Sequence, residues 1–214
     1  MSKKDRKDKR RSESDGDGHG KIDRTAPAAQ PAGKQSISSE DYQAQLPVAE
    51  EFVLFNRSWY SRAGVEHVMG FCSKHEHAVF MQAAPEFEEM LVNSGIKLLK
   101  YDLDIDQDEQ VSRLAERQRD PLKQWKSSPI DAVAVKHGKA HSAARDEMLL
   151  RTHTAVAPWC IVRTNNKRLA RLNLIRDILS RLHYAGKKNK LVQPDPEIAF
   201  EFTPDCINSQ RLAR

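Results

Sequence analysis

Three short apolar runs, separated by longer stretches of helical period, limit how this chain can fold. Glu51-Phe-Val-Leu-Phe55, Ile96 to Ile105 and Trp159-Cys-Ile-Val162 each read as a buried strand. Between the first two, Ser73-Lys-His-Glu76 has the form of a capping box, in which the serine accepts from a free first-turn amide and the glutamate reaches back. A helix is predicted to follow, with Val79, Phe80, Ala83, Phe87, Met90 and Leu91 inward, Pro85 bending it and Ser94-Gly95 ending it. Asp106-Gln-Asp-Glu109 is a second box and predicts a helix to about Arg119, which Asp120-Pro121 breaks. Further helices are predicted from Asp131 to about Arg151, and from Lys167 to Leu182 with Leu169, Leu172, Ile175, Ile178 and Leu179 inward. Strands joined through helices of this length predict a parallel sheet in an α/β fold.

Charge and cysteine usage bound the partners. The first forty residues are Lys/Arg/Asp/Gly, then Ala/Pro/Gln, with little to bury, so residues 1–40 read as a disordered tail. The formal charge of +5 is modest but clustered: seven of the first eleven residues are basic, and Arg163 to Lys190 holds nine basic residues against Asp177 alone. Phosphate-rich partners are the expectation. Cys72, Cys160 and Cys206 are odd in number and unpaired in spacing, which argues against a disulfide framework or a zinc site. With no apolar run near eighteen residues and no signal-peptide core behind the first charges, the expectation is a soluble cytoplasmic protein without a membrane partner.

The first strand ends at Asn56, and Arg57, Ser58 and Arg62 follow within two turns. Side chains at the carboxyl ends of strands in α/β proteins commonly meet ligand. A guanidinium fork there suits phosphate oxygens, although a salt bridge to a nearby acid would also explain Arg57. His75-x-His77 does not make a metal site, because residues two apart do not share a helix face and no third ligand is evident. No metal site is expected.

Successive stretches carry a resemblance: FNRSWYSRAGVEHVMGFC, PEFEEMLVNSGIKLLKY, EQVSRLAERQRDPLKQWKSSPID, RDEMLLRTHTAVAPW and NNKRLARLNLI. In this order and spacing, over residues 46–184, they resemble the polyphosphate kinase 2 family. The resemblance implies a three-layer P-loop kinase-like fold with a parallel sheet and a helical lid, here at about 107–151. It implies phosphoryl transfer between inorganic polyphosphate and a nucleoside di- or monophosphate, with Mg²⁺. Asn56 then stands where the family has a Walker B aspartate, an amide that keeps the shape without the charge. Arg57 and Arg62 match family arginines. Arg113, Arg117, Lys123 and Lys126 match cations of the lid, and Lys167, Arg168 and Arg171 those at the start of the last helix.

The sequence also departs from that pattern. Asn165 and Asn166 replace acids, His141 a tyrosine, Ala143 an arginine, His153 an acid and Ser127 a leucine. No Gly-x-Asp-x-Ala-Gly-Lys-Gly occurs. Ala32-Gly33-Lys34 has no strand before it and cannot hold successive amides round a phosphate. The expectation is therefore an incomplete fold of about three strands, its central P-loop strand missing, with 185–214 as an extended tail. Two functions stay open: a phosphotransferase with impaired activity in this chain, or a non-catalytic polyanion-binding or subunit-interacting remnant. A homo-oligomer or a complementing subunit is the partner the missing strand would call for.

Overall fold

The computed structural model describes residues 45–123, 125, 137–209 and 211–213. The expected tail at 1–40, the start of the helix at Asp131 and Lys126 lie outside the described residues.

Three strands form one sheet in the order β1 (Lys100–Asp104), β2 (Trp159–Arg163), β3 (Ala199–Glu201). β1 and β2 run parallel, with Lys100 opposite Trp159 and Asp104 opposite Arg163. β3 joins β2 antiparallel, Ile161 opposite Phe200. The fold is α/β as expected, but the sheet is mixed rather than parallel. The difference comes from β3, which lies within the stretch expected as a tail. That stretch is packed: Phe202, Cys206 and Leu212 are buried against Trp59, Leu149 and Ile161. Three residues between Pro196 and Pro204 are too few to show a strand's alternation in sequence.

Two expected strands also change. Glu51–Phe55 forms no strand, and Phe52, Val53 and Leu54 are exposed. An extended segment becomes a strand only when its backbone groups find a partner, and none of the described residues provides one. The second strand begins at Lys100 rather than Ile96, because its partner starts at Trp159, just after Pro158, which has no amide to donate.

Helices supply the other layers. A 3₁₀ turn at Trp59–Ser61 leads into α1 (Val65–Val68), followed by α2 (Lys74–Asn93), α3 (Gln107–Arg119), α4 (Gly138–Thr152), α5 (Lys167–Arg181) and α6 (Asp205–Asn208). The Ser73 capping box is complete, with Ser73 N donating to Glu76 at 2.8 Å and Glu76 N to Ser73 Oγ at 3.2 Å. Asp106 precedes α3 without capping it; its carboxylate accepts from Asn165 instead.

The buried faces of α2 and α5 are each rotated from the expected ones. In α2 the inner residues are His77, Met81, Ala84, Glu88 and Leu91, while Val79 and Met90 face out. In α5 they are Ala170, Asn173 and Asp177, leaving Leu169, Leu172 and Ile175 exposed. Both inner faces include polar residues with partners inside, which apolar periodicity does not register. Among the described residues, no helix is long and apolar enough to cross a membrane.

Candidate functional site

The carboxyl ends of β1 and β2 are tied together by polar contacts. Thr164 donates from both its amide and its hydroxyl to the Asp104 carbonyl, at 2.7 and 2.8 Å. Beside them, the Asp106 amide donates to Asn165 Oδ1 at 3.1 Å. Arg113 reaches this junction from α3: its guanidinium donates to the carbonyls of Thr164 and Asn165 and pairs with Glu109 at 2.7 Å. One arginine therefore latches α3 onto the loop between β2 and α5.

Two lysines flank that latch. Lys123 pairs with Glu116 at 2.5 Å and Asp120 at 3.0 Å, and these carboxylates raise its pKa. Reciprocally, Lys123 first and Lys167 to a lesser extent hold the Glu116 carboxyl below its ordinary value. So Lys123 and Lys167, from separate parts of the sequence, both act on Glu116 of the helix that carries Arg113. Arg117 lies half-buried on the same helix, while Arg168 and Arg171 are exposed at the start of α5. The free amides there are already partly used, because Asn166 Oδ1 accepts from Arg168 N at 3.1 Å and Leu169 N at 3.2 Å.

A second group lies at the turn after Phe55. Arg57 and Ser58 have φ of 72° and 47°, a left-handed region that costs a side-chain-bearing residue energy. Ser58 then caps the 3₁₀ turn by accepting from Tyr60 N. Arg57 and Asn56 are exposed, and Arg57 is close enough to His141 of α4 to help burial and His137 lower that imidazole's pKa. The Nε2 of His141 is buried with no partner among the described residues. Arg62 faces Glu66 one turn on, at 3.4 Å.

Sequence reasoning missed a third group. Arg145 of α4 donates to Asp104 at 2.9 Å and to the Ala213 carbonyl at 2.9 Å, and pairs with Asp146 at 3.0 Å. Ala213 N in turn donates to Asp104 at 3.1 Å. Next to them, Asp102 Oδ2 is buried with no partner among the described residues, and burial pushes the Asp102 carboxyl up to about 6, with Arg145 opposing. The signal was present as charge at every second position, Lys100, Asp102 and Asp104, which marks one face of a strand.

None of the described residues forms a group of three His, Cys, Asp or Glu able to hold a metal ion. Asn56 offers an amide, and Asp104 is already taken by Arg145 and an amide.

Residues 24–190, more than half of the chain, match the family described as Polyphosphate kinase 2 (PPK2). The chain belongs to the polyphosphate kinase 2 family. It is 48% identical over 158 residues to "NDP-polyphosphate phosphotransferase 2" of Ruegeria pomeroyi, covering 73% of this chain and 46% of that protein. It is 49% identical over 146 residues to "ADP-polyphosphate phosphotransferase 1" of Rhizobium meliloti, covering 68% of this chain and 49% of the relative. A crystal structure of a Pseudomonas aeruginosa protein assigned to polyphosphate kinase 2 matches with a TM-score of 0.62 at 32% identity, over 71% of this chain and 30% of that one. The chain thus spans about half the length of the curated polyphosphate kinase 2 relatives it matches.

Proposed function

We propose that this chain carries the arginine turn and lid portion of a polyphosphate:nucleotide phosphotransferase, which moves a phosphoryl group between inorganic polyphosphate and a nucleoside di- or monophosphate. The observation that carries the reading is the latch of Arg113 on Thr164 and Asn165, which puts Lys123 and Lys167 on one flank at the carboxyl end of the parallel strands. Phosphoryl transfer is catalysed by positioning and charge stabilisation, so fixed cations at that end are what such a site uses. In this account Arg57, held in a left-handed turn, and Arg62 bind phosphate oxygens from one side. Lys123, Lys126, Arg117, Lys167, Arg168 and Arg171 neutralise the polymer from the lid and α5. Arg113 is a positioning residue, since its guanidinium is committed to carbonyls and Glu109.

Mg²⁺ is the ion the family reading implies. The described residues do not fit it, because Asn56 lacks the charge and Asp104 is engaged elsewhere, so no step is assigned to a metal held by this chain alone. The isolated chain is accordingly expected to show little or no turnover. That favours a second reading, a non-catalytic polyanion-binding remnant, and Asn56 is the observation behind it. Three free cysteines fit a reducing cytoplasmic setting for either. The test is purified chain with polyphosphate, ADP or GDP and Mg²⁺, following nucleoside triphosphate: binding without turnover supports the account, and robust ATP or GTP formation contradicts the expected impairment. Failure to bind polyphosphate at low salt would overturn both readings.

A further inference from the structure

The turn after Phe55 presents a cation that no acid of the described residues answers. Arg57 is held at φ 72° and exposed, and among the described residues its guanidinium makes no hydrogen bond or ion pair. The other arginines matched near it or on the lid differ in this respect, since Arg62 faces Glu66 and Arg113 faces Glu109, each one turn away.

Near Arg57, α4 begins with two histidines. His141 N donates to the His137 carbonyl at 2.9 Å, one helical turn, so the two imidazoles share a face. His137 is exposed and His141 half-buried, with its Nε2 enclosed and unpartnered among the described residues. An enclosed polar nitrogen with no partner is costly, and an imidazolium donates from both ring nitrogens where a neutral ring donates from one.

The charges that act on His141 are all of one sign. Burial first, then His137 and Arg57, lower its pKa from the ordinary value. The first turn of α4 contains no acid. From α3 the neighbour is Gln107, a neutral amide 3.6 Å from where a Cβ on Gly138 would sit. Arg145, one turn further along α4, is taken up by Asp104, Asp146 and the Ala213 carbonyl. Helices α1 and α2 supply His67 and His77, whose stacked rings face Glu147 and Arg151 further along α4. A corner with three groups that are or become cations, and no carboxylate among the described residues, is suited to an anion.

We propose that Arg57, His137 and His141 form a proton-linked phosphate site, in which a phosphate oxyanion supplies the negative charge and His141 takes up a proton as the oxyanion binds. This deepens the functional reading and rests on it: the oxyanion belongs to inorganic polyphosphate or to a nucleotide's terminal phosphates, which share that chemistry. Rotation of the half-buried ring about its last side-chain torsion turns a nitrogen toward the ligand. Without ligand the imidazole is neutral at pH 8 and stays so until pH falls below its ordinary value. An oxyanion against it favours the charged form, so affinity rises as pH falls and the gain is complete below the ligand-free pKa.

The experiment titrates the full chain with long-chain polyphosphate, and separately with ADP, at low salt without divalent cation. Binding is followed as pH is lowered, and NMR follows the His141 imidazole, assigned through its backbone. Interior phosphates of the polymer stay ionised throughout, so the ligand's own titration does not imitate the effect. A neighbouring opposite charge moves a pKa by about one to three units, so polyphosphate affinity should rise about fivefold between roughly pH 8 and pH 6. The His141 ring should titrate below its ordinary pKa in the free chain and above it in the complex. His141→Gln should flatten the rise, and His137→Gln should reduce it. An ADP-induced shift of the ring equal to that with polyphosphate assigns the site to any phosphate chain, and a shift with polyphosphate alone assigns it to the polymer. Polyphosphate binding that leaves the His141 titration unmoved, or a pH dependence that persists unchanged in His141→Gln, overturns the proposal while leaving the functional reading intact. Absence of polyphosphate binding at every pH is the failure of that reading, and overturns the proposal with it.

Discussion

The two ends of β1 differ in how their buried charges are matched. At the amino end, the Lys100 ammonium is enclosed: it donates to Glu88 and the Thr152 carbonyl, both at 2.7 Å, and lies 4.8 Å from the Trp159 ring centroid. Glu88 also accepts from Trp59 Nε1 at 3.3 Å, and Trp159 Nε1 donates to Thr152 Oγ1 at 2.9 Å. Two residues further along the same face, Asp102 keeps an oxygen with no donor among the described residues, and beyond it Asp104 shares Arg145 with Asp146 and Ala213. One end is a closed polar core that fixes the sheet to α2 and α4. The other leaves one carboxylate oxygen, Asp102 Oδ2, buried with no partner among the described residues.

The largest effect that would sharpen this comparison is at Lys100. Burial alone would lower its pKa and raise that of Glu88, and their contact opposes both shifts. Removing one partner leaves the other buried and uncompensated, so Lys100→Ala should destabilise the chain by about 3–5 kcal/mol in denaturant unfolding. Lys100→Met combined with Glu88→Leu should recover most of that loss, because neither charge is then stranded.

At the other end the sign reverses. Asp102 has a folded pKa of about 6 against an ordinary 3.8, so the folded state binds the proton more tightly than the unfolded chain. Its contribution is fully present below about pH 4 and is lost as pH rises through about 6. Asp102→Asn should therefore stabilise the chain by about 3 kcal/mol at pH 8 and by only a small fraction of that at pH 4. A stabilisation independent of pH would mean that the carboxyl is not buried as described.

A smaller effect is expected on the lid flank. Lys123→Ala removes an exposed pair with Glu116 and Asp120, and the unfolding midpoint should hardly move. Asn56→Asp should likewise leave nucleoside triphosphate formation by the chain near background, since one carboxylate does not supply a phosphate cradle. Substantial turnover on that single change would show that the rest of the site is already complete.

What the sequence disclosed follows the same division. The Ser73 capping box, β2 and the carboxyl half of the second strand were legible because local chemistry and apolar runs specify them. The inner faces of α2 and α5 were not, because Glu88 and Asp177 are buried only by virtue of distant partners, Lys100 for one and Tyr101 for the other, at 2.6 Å. Glu51–Phe55 read as a strand because its composition suits one, yet pairing is a property of two segments. In the candidate site, the family motifs named Arg113, Lys123 and Lys167, and only the fold shows that Arg113 holds the loop rather than facing outward. Arg145 escaped notice because its partners, Asp104 and Ala213, are 41 and 68 residues away.

The most direct test of the central claim is polyphosphate binding by the chain lacking residues 1–40, so that the basic tail does not contribute. Titration at increasing salt should show weak binding that falls by orders of magnitude between roughly 50 and 200 mM, as counterion release requires. Arg57→Ala with Lys123→Ala should weaken it about tenfold and flatten the salt slope. Binding that is absent at low salt, or unchanged in the double variant, would contradict the claim that the turn after Phe55 and the lid flank form one phosphate-binding site.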